Sequence, residues 1–325
     1  MGKQTLIKAK GGEDYYVIEQ SSIKNISTNN FRGNLPKVSF VIPTKNSSRT
    51  IERCLSSIKK QNYPSLEIIV VDNGSTDNTV DIANKYADKV LFDSGKLGRV
   101  RQTGIENAEG EIIGIFDSDI YFPHNNWLIR AIEYFNYAKI IATVWPKNVA
   151  PPEGPLFQKL YLNLGNQILE DRIRKRRGTV GGGCALILKS AFFSVGGYDE
   201  GVHWGEDFNL ALKLRKQGYA LVYIEDPIYH DTDMGLSVKG FIKKQIMGMK
   251  MLGGSNLEGL NLSTWDIFYE NIIVGTRAMA RGIVVDKDIS WILFPYLLFL
   301  RFIVVTYVIL DKMILNRLYR VRMSA

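Results

Sequence analysis

With 325 residues, 46% hydrophobic and 23% charged, the chain has the composition of a globular protein of one or two domains rather than a disordered one. Its net charge of +8 favours anionic partners such as nucleotide diphosphates or phospholipid head groups. A nucleic-acid role is not expected, because the basic residues are scattered rather than interleaved with aromatics, and Cys54 and Cys184 form neither a disulfide framework nor a metal-type spacing.

No apolar h-region opens the chain, so no secretory signal peptide is expected, and no internal repeat is present. Residues 1–36 read as an N-terminal extension with a short strand at Tyr15-Tyr16-Val17-Ile18. From Lys37 a regular alternation begins. Val38 to Ile42 is a strand stopped by Pro43, followed by the polar loop Thr44 to Ser48 and a helix from Thr50 to Gln61 with Ile51, Cys54, Leu55 and Ile58 on one face. Leu66 to Val71 is a second strand ending at Asp72-Asn73-Gly74-Ser75-Thr76-Asp77, and a helix near Thr79 to Tyr86 starts from that polar cap. Lys89 to Phe92 is a third strand, and Leu97 to Ala108 a helix.

The next strand, Ile112 to Phe116, is apolar on both faces, as an inner strand covered on both sides must be. It runs into Asp117-Ser118-Asp119. In extended backbone, side chains at i and i+2 point the same way, so both carboxylates could face one cation. Ligands of open α/β sheets bind beyond the carboxyl ends of the strands, and hard oxygen donors suit Mg²⁺ or Mn²⁺ held together with substrate phosphates. A solvated acidic turn would look the same if the tripeptide stood alone. Strands alternating with helices imply a doubly wound, mostly parallel sheet with helices on both faces.

The strand Val38 to Thr44, the strand end Val-Val-Asp72-Asn-Gly-Ser-Thr-Asp77 and Phe116-Asp-Ser-Asp119 are together similar, in order and spacing, to the nucleotide-sugar domain of family 2 glycosyltransferases of the GT-A fold. The resemblance covers about residues 37–235, with 37–120 as nucleotide-binding half and 121–235 as acceptor half. It implies that Pro43, Thr44, Asn46, Asp72, Asp117 and Ser118 hold the donor and that Asp117 and Asp119 hold the metal. Asp72 could accept from a base or ribose hydroxyl; the competing reading is a turn residue bonding its own backbone. Lys96 and Arg99 could approach the donor phosphates or remain solvated.

Beyond Asp119, the sequence predicts a helix from about Asn126 to Tyr134, a strand from Ile140 to Trp145, a Pro-rich loop to Pro155 and a long helix from Leu156 to Arg172. That helix enters a basic run ending at Arg177, read as a solvated face, a flap over diphosphate or a contact with an acidic membrane surface. The glycines Gly178 and Gly181 to Gly183 follow no strand, which excludes a dinucleotide fingerprint. Ala185 to Leu188 is a strand. Trp204-Gly205-Glu206-Asp207 opens a helix running to Gln217. Acids in a first turn also suit the helix dipole. The resemblance instead makes Asp207 the general base of an inverting transfer, with Glu206 supporting it. A strand from Tyr219 to Ile224 is followed by Pro227 and His230; the resemblance puts a further metal or diphosphate ligand near His230.

Residues 236–325 read as a helical, apolar C-terminal region. Ser290 to Leu310 is long enough for a membrane span, but Arg301 lies at its centre and Pro295 interrupts it. The basic residues Lys312, Arg317, Arg320 and Arg322 would keep the tail cytoplasmic, so a single span would put the catalytic domain on the wrong side. A peripheral, monotopic or re-entrant contact with the cytoplasmic face of the membrane is expected; a true span and a buried core or homodimer helix are the alternatives. The expectation overall is a metal-dependent inverting glycosyltransferase using a nucleotide sugar, UDP-linked by preference, and a hydroxyl of a lipid-linked saccharide or polysaccharide. The alternatives are a polyprenyl-phosphate glycosyl synthase, whose phosphate acceptor needs no base, and a non-catalytic nucleotide-sugar-binding protein.

Overall fold

The computed structural model describes residues 15–18, 35–136, 140–174, 184–199, 205–232, 238–252, 269–304 and 306–307. The expectations for Trp204, for residues 175–177 of the basic run and for the glycines of 178–183 lie outside these residues. The chain forms two units, one of residues 1–149 and 179–231, the other of residues 150–178 and 232–325.

Among the described residues, the first unit is built on a nine-stranded sheet in the order β1-β9-β7-β8-β5-β2-β3-β4, with β6 paired to β9. Its strands are β1 (Tyr15–Ile18), β2 (Val38–Thr44), β3 (Leu66–Asp72), β4 (Lys89–Phe92), β5 (Ile112–Ile115), β6 (Ile120–Tyr121), β7 (Ile141–Val149), β8 (Ala185–Leu188) and β9 (Ala220–His230). β5, β2, β3 and β4 run parallel, while β8 is antiparallel to both β5 and β7. The fold is that of the GT-A class.

Alternation along the inner strands divides the core into two layers. Phe40, Ile42, Ile68, Val70, Ile112 and Phe116 face one layer, and Val41, Ile69, Val71, Ile113 and Ile115 the other. Period-two side-chain direction makes this inevitable once both sheet faces are covered. The first layer packs on α1 (Ile51–Lys59), α2 (Thr79–Ala83) and α4 (Trp127–Ile132). The second packs on α3 (Leu97–Glu106), α6 (Lys189–Ser194) and α7 (Glu206–Lys216). Helix α3 lies tight on the sheet because Gly104 has no side chain; a Cβ there would come within 2.3 Å of Val41 Cγ1.

Two expectations are corrected. Strand β9 does not stop before Pro227 but continues to His230. Its pairing with β7 shifts register between Pro146 and Asn148, opposite Ile224 and Ile228, so Pro227 sits in an irregular stretch where its missing N–H breaks no ladder. β7 likewise runs to Val149 rather than turning into a loop after Trp145. The boundary drawn between residues 235 and 236 also differs from the fold. The helix α5 (Leu156–Arg174) belongs to the second unit, where Leu160 and Leu164 pack with Phe241, Trp291, Phe294, Leu297 and Leu300. The strand expected at Tyr15–Ile18 is present as β1 and pairs in parallel with β9.

Among the described residues the second unit is helical: α5, α8 (Val238–Leu252), a helix from Gly275 to Val284, a short 3₁₀ turn Ile289–Leu293 and a helix over residues 294–304. Among the described residues no helix is long and apolar enough to cross a membrane.

Candidate active site

The site forms at the carboxyl ends of β2, β3 and β5 and at the start of α7. Parallel pairing sets Pro43 opposite Val71 and Thr44 opposite Asp72, so the two polar loops that follow meet. They interlock through Asn46, Ser47 and Ser48. Asn46 takes a left-handed conformation (φ 50°), its Oδ1 accepts from Thr76 N at 2.8 Å, and its N–H donates to Ser75 Oγ at 2.8 Å. Ser47 N donates to Thr79 Oγ1 at 2.7 Å, and Ser48 N to Asp77 Oδ2 at 3.1 Å. The Thr79 hydroxyl, which donates to Asp77 Oδ1, and the Ser48 N–H together hold the Asp77 carboxyl down to about 2.

The buried Asp72 carboxylate closes its own turn. It accepts from Gly74 N and Ser75 N, each at 3.0 Å, and from Ser75 Oγ at 2.5 Å. The turn-forming alternative is therefore present, and any donor contact by Asp72 would add to it. Thr44 Oγ1 beside it is buried and has no hydrogen-bond partner among the described residues. Lys96 lies exposed at the cap of α3, and Arg99 pairs with Asp93 at 3.3 Å.

Asp117 and Asp119 do not share one direction. β5 ends at Ile115, and residues 118 and 119 form a turn, so the alternation assumed for an extended Asp-Ser-Asp is lost. Asp117 turns to Arg101, whose Nη2 donates to its Oδ1 at 2.7 Å. Asp119 turns to His230, with 3.3 Å between Oδ2 and Nε2. The antiparallel pairing of Ile120 with His230, and a bond from Asp231 N to Asp119 O at 2.8 Å, fix that approach. Ser118 Oγ donates to Ser47 Oγ at 2.8 Å, tying this turn to the donor-side loops. Among the described residues no three His, Cys, Asp or Glu side chains converge as a complete metal cage.

The residue that sequence reasoning missed is Arg101. It is 2% exposed, and its Nη1 donates to Glu206 Oε1 at 2.5 Å while its Nη2 holds Asp117. One guanidinium thus joins the strand-end acid to the acidic pair of α7. Its Nε has no partner among the described residues. Asp117, Tyr198, Glu206 and Asp207 keep it charged against the pull of burial. A signal was available in the sequence. Gly98, Arg101 and Gly104 fall on one face of α3, and an arginine flanked by glycines on a buried face needs carboxylates to meet it.

Asp207 follows Gly205, which adopts φ 80° to turn the chain into α7. Burial and the adjacent Glu206 push its carboxyl up to about 7, with Arg101 opposing them. It lines a small, mostly apolar cavity with Ile115, Thr143, Trp145 and Tyr198. A carboxylate poised near neutrality, beside a fixed arginine–carboxylate bridge, can accept a proton.

The sheet order and the placement of the site at its strand ends are those of a GT-A fold. The Glycosyl transferase family 2 model matches residues 39–195. AglE, a glycosyltransferase of Haloferax volcanii, is 28% identical over 205 residues, 60% of this chain and 66% of AglE, just under two thirds of its length. A Methanococcus voltae dolichyl N-acetyl-alpha-D-glucosaminyl phosphate 3-beta-D-2,3-diacetamido-2,3-dideoxy-beta-D-glucuronosyltransferase is 29% identical over 235 residues, 64% of this chain and 70% of its own. Among solved structures, the mannosyltransferase PcManGT of Pyrobaculum calidifontis, in complex with GDP-Man and Mn²⁺, is similar with a TM-score of 0.54 at 18% identity, covering 86% of this chain and 85% of its own. At that identity the likeness is one of fold. Over residues 39–195 the chain matches glycosyl transferase family 2, and it is similar to named glycosyltransferases along a part of their length.

Proposed function

We propose that the chain is an inverting transferase that moves a sugar from a nucleotide diphosphate to a hydroxyl of a lipid-linked saccharide or polysaccharide. A UDP-linked sugar is the first donor to test. The observation that carries the reading is the Arg101 bridge, which fixes the strand-end Asp117 and the acidic start of α7 in one site. The lipid-linked acceptor class is supported by the Methanococcus voltae relative, whose own acceptor is a dolichyl-phosphate saccharide.

In this reading Asp207 takes the acceptor hydroxyl proton as that oxygen attacks the anomeric carbon. The bond from that carbon to the diphosphate breaks on the opposite face, and its electron pair leaves with the nucleotide. A carboxyl near 7 suits this task at neutral pH. Glu206 and Arg101 position the base and Asp117 rather than touching the reacting atoms.

The side chains fit a divalent cation of the Mg²⁺ or Mn²⁺ kind. Asp119 and His230 bring a hard oxygen and an imidazole nitrogen within 3.3 Å of each other at a strand end, and Asp117, held by Arg101, immediately precedes the turn. Mg²⁺ is commonly held by one or two carboxylates and substrate phosphates rather than by a full protein cage. When bound, such an ion stabilises the departing diphosphate's charge.

The test is donor binding and sugar transfer across UDP, GDP and dTDP sugars, with Mn²⁺ and with EDTA. Asp207→Asn should keep donor binding and lower transfer by about 10²–10⁴-fold. Unchanged transfer by this variant would remove the base and favour a phosphate acceptor, which needs none. Absence of donor binding with metal present would point to a non-catalytic chain.

A further inference from the structure

The second unit carries a feature that catalysis does not use. The helix over residues 294–304 and the 3₁₀ turn before it are apolar on two faces. Trp291, Phe294, Leu297, Leu300 and Val304 are buried within the unit. Ile292, Tyr296, Phe299 and Ile303, at i, i+4, i+7 and i+11, form an opposite stripe that is exposed, with Phe302 at its edge. Ile292 is 69% exposed, Phe299 59% and Phe302 69%. The turn leading into this segment adds Val284 at 74% and Val285 at 66%. A helix that is apolar all round belongs against protein on one side and against a second apolar phase on the other.

Arg301, the one charge in the segment, does not interrupt the stripe. Its Nε is buried, and burial pulls its guanidinium below the ordinary range while Tyr161 and the buried Glu270 act to keep it charged. The nearby acids are also engaged: Asp288 accepts from Ser290 N at 2.9 Å and from Asn163 Nδ2 at 2.6 Å, and Asp286 meets Arg281 at 3.8 Å.

Charge selects the occupant. Residues 150–178 and 232–325 hold 18 Lys and Arg against 10 Asp and Glu, so the whole +8 of the chain lies in this unit. Exposed Arg277, Arg281 and Lys287 flank the apolar turn. A second copy would bring the same positive charge to the face, whereas an anionic bilayer supplies both an apolar phase and negative head groups.

We infer that the outward stripe of Ile292, Tyr296, Phe299 and Ile303, with the Val284–Val285 turn, seats the chain in the interface of an anionic lipid bilayer without crossing it. This rests on the second unit alone and stands whether or not the proposed reaction is correct.

The test is flotation of the full chain with vesicles of phosphatidylcholine containing phosphatidylglycerol, against pure phosphatidylcholine. The expected result is binding to the anionic vesicles that weakens as salt rises. Phe299→Glu with Phe302→Glu should lower the bound fraction about tenfold. Val284→Ser with Val285→Ser, at positions outside the packed core, should also lower it, with unchanged circular dichroism and melting temperature. Binding that neither pair alters, or equal binding to both vesicle types, would overturn the inference. So would a concentration-dependent dimer, without flotation, that the same substitutions disperse; the face would then join two copies.

Discussion

Each unit of the chain turns an arginine inward, and the two arginines do different work. In the sheet unit, Arg101 ties Asp117 to Glu206 and so assembles a site. In the helical unit, Arg301 is drawn inward near Glu270 and Tyr161, which leaves an uncharged outer face. The first unit has 23 Lys and Arg and 23 Asp and Glu, so its charges balance; the second has the chain's entire excess. A single net charge therefore misdirects. The +8 bears on the helical unit's partner and says little about the sheet unit's ligand.

Four measurements sharpen or break this contrast. The largest effect is expected in the sheet unit from Asp207→Asn, with transfer falling about 10²–10⁴-fold. In the unaltered chain the rate should climb as pH rises through about 7, because the base must be unprotonated. Stability should move the other way. A carboxyl raised from 3.8 to about 7 contributes its stabilisation fully below about 4 and loses it as pH rises through 7. A flat rate profile between pH 5 and 9 would separate Asp207 from the chemistry.

Next comes Arg101→Met, which strands Glu206 and Asp117 and should cost about 3–5 kcal/mol in denaturant unfolding. Adding Glu206→Gln should return part of that stability but no activity. If both return, the bridge is structural alone.

Gly104→Ala should follow at about 1–3 kcal/mol, since a Cβ would lie 2.3 Å from Val41 Cγ1 and 2.9 Å from Val71 Cγ2. The smallest effect belongs to the helical unit's outer face. Phe302→Ser should change stability by less than about 0.5 kcal/mol, whereas Phe294→Ala, on the inner face of the same helix, should cost about 3–5 kcal/mol. Equal costs would mean that the outer stripe is packed against protein.

Much of the sheet unit was legible in the sequence. β2, β3, β4 and β8 stand out because short apolar runs bounded by polar loops have few other solutions. The same logic located Asp72, Asp117 and Asp119 at strand ends. What was not legible depended on three-dimensional pairing. Pro227 reads as a stop until the irregular β7–β9 register makes room for it. Asp117 and Asp119 read as a pair until the turn after Ile115 sends one to Arg101 and the other to His230. Arg101 lies on the glycine-lined face of α3, but nothing local announces which carboxylates arrive there from 16 and 105 positions away. The membership of α5 in the second unit was likewise hidden, since its partners Phe241, Trp291 and Phe294 follow much later in the chain.

The interlocked loops after β2 and β3 bear on how the site opens. Asn46, Ser47 and Ser48 bond to Ser75, Thr76, Thr79 and Asp77, so neither loop can leave its place without breaking the other's bonds. Their amide protons should therefore exchange with solvent as one cooperative group, at a shared opening free energy, rather than as two independently fraying loops.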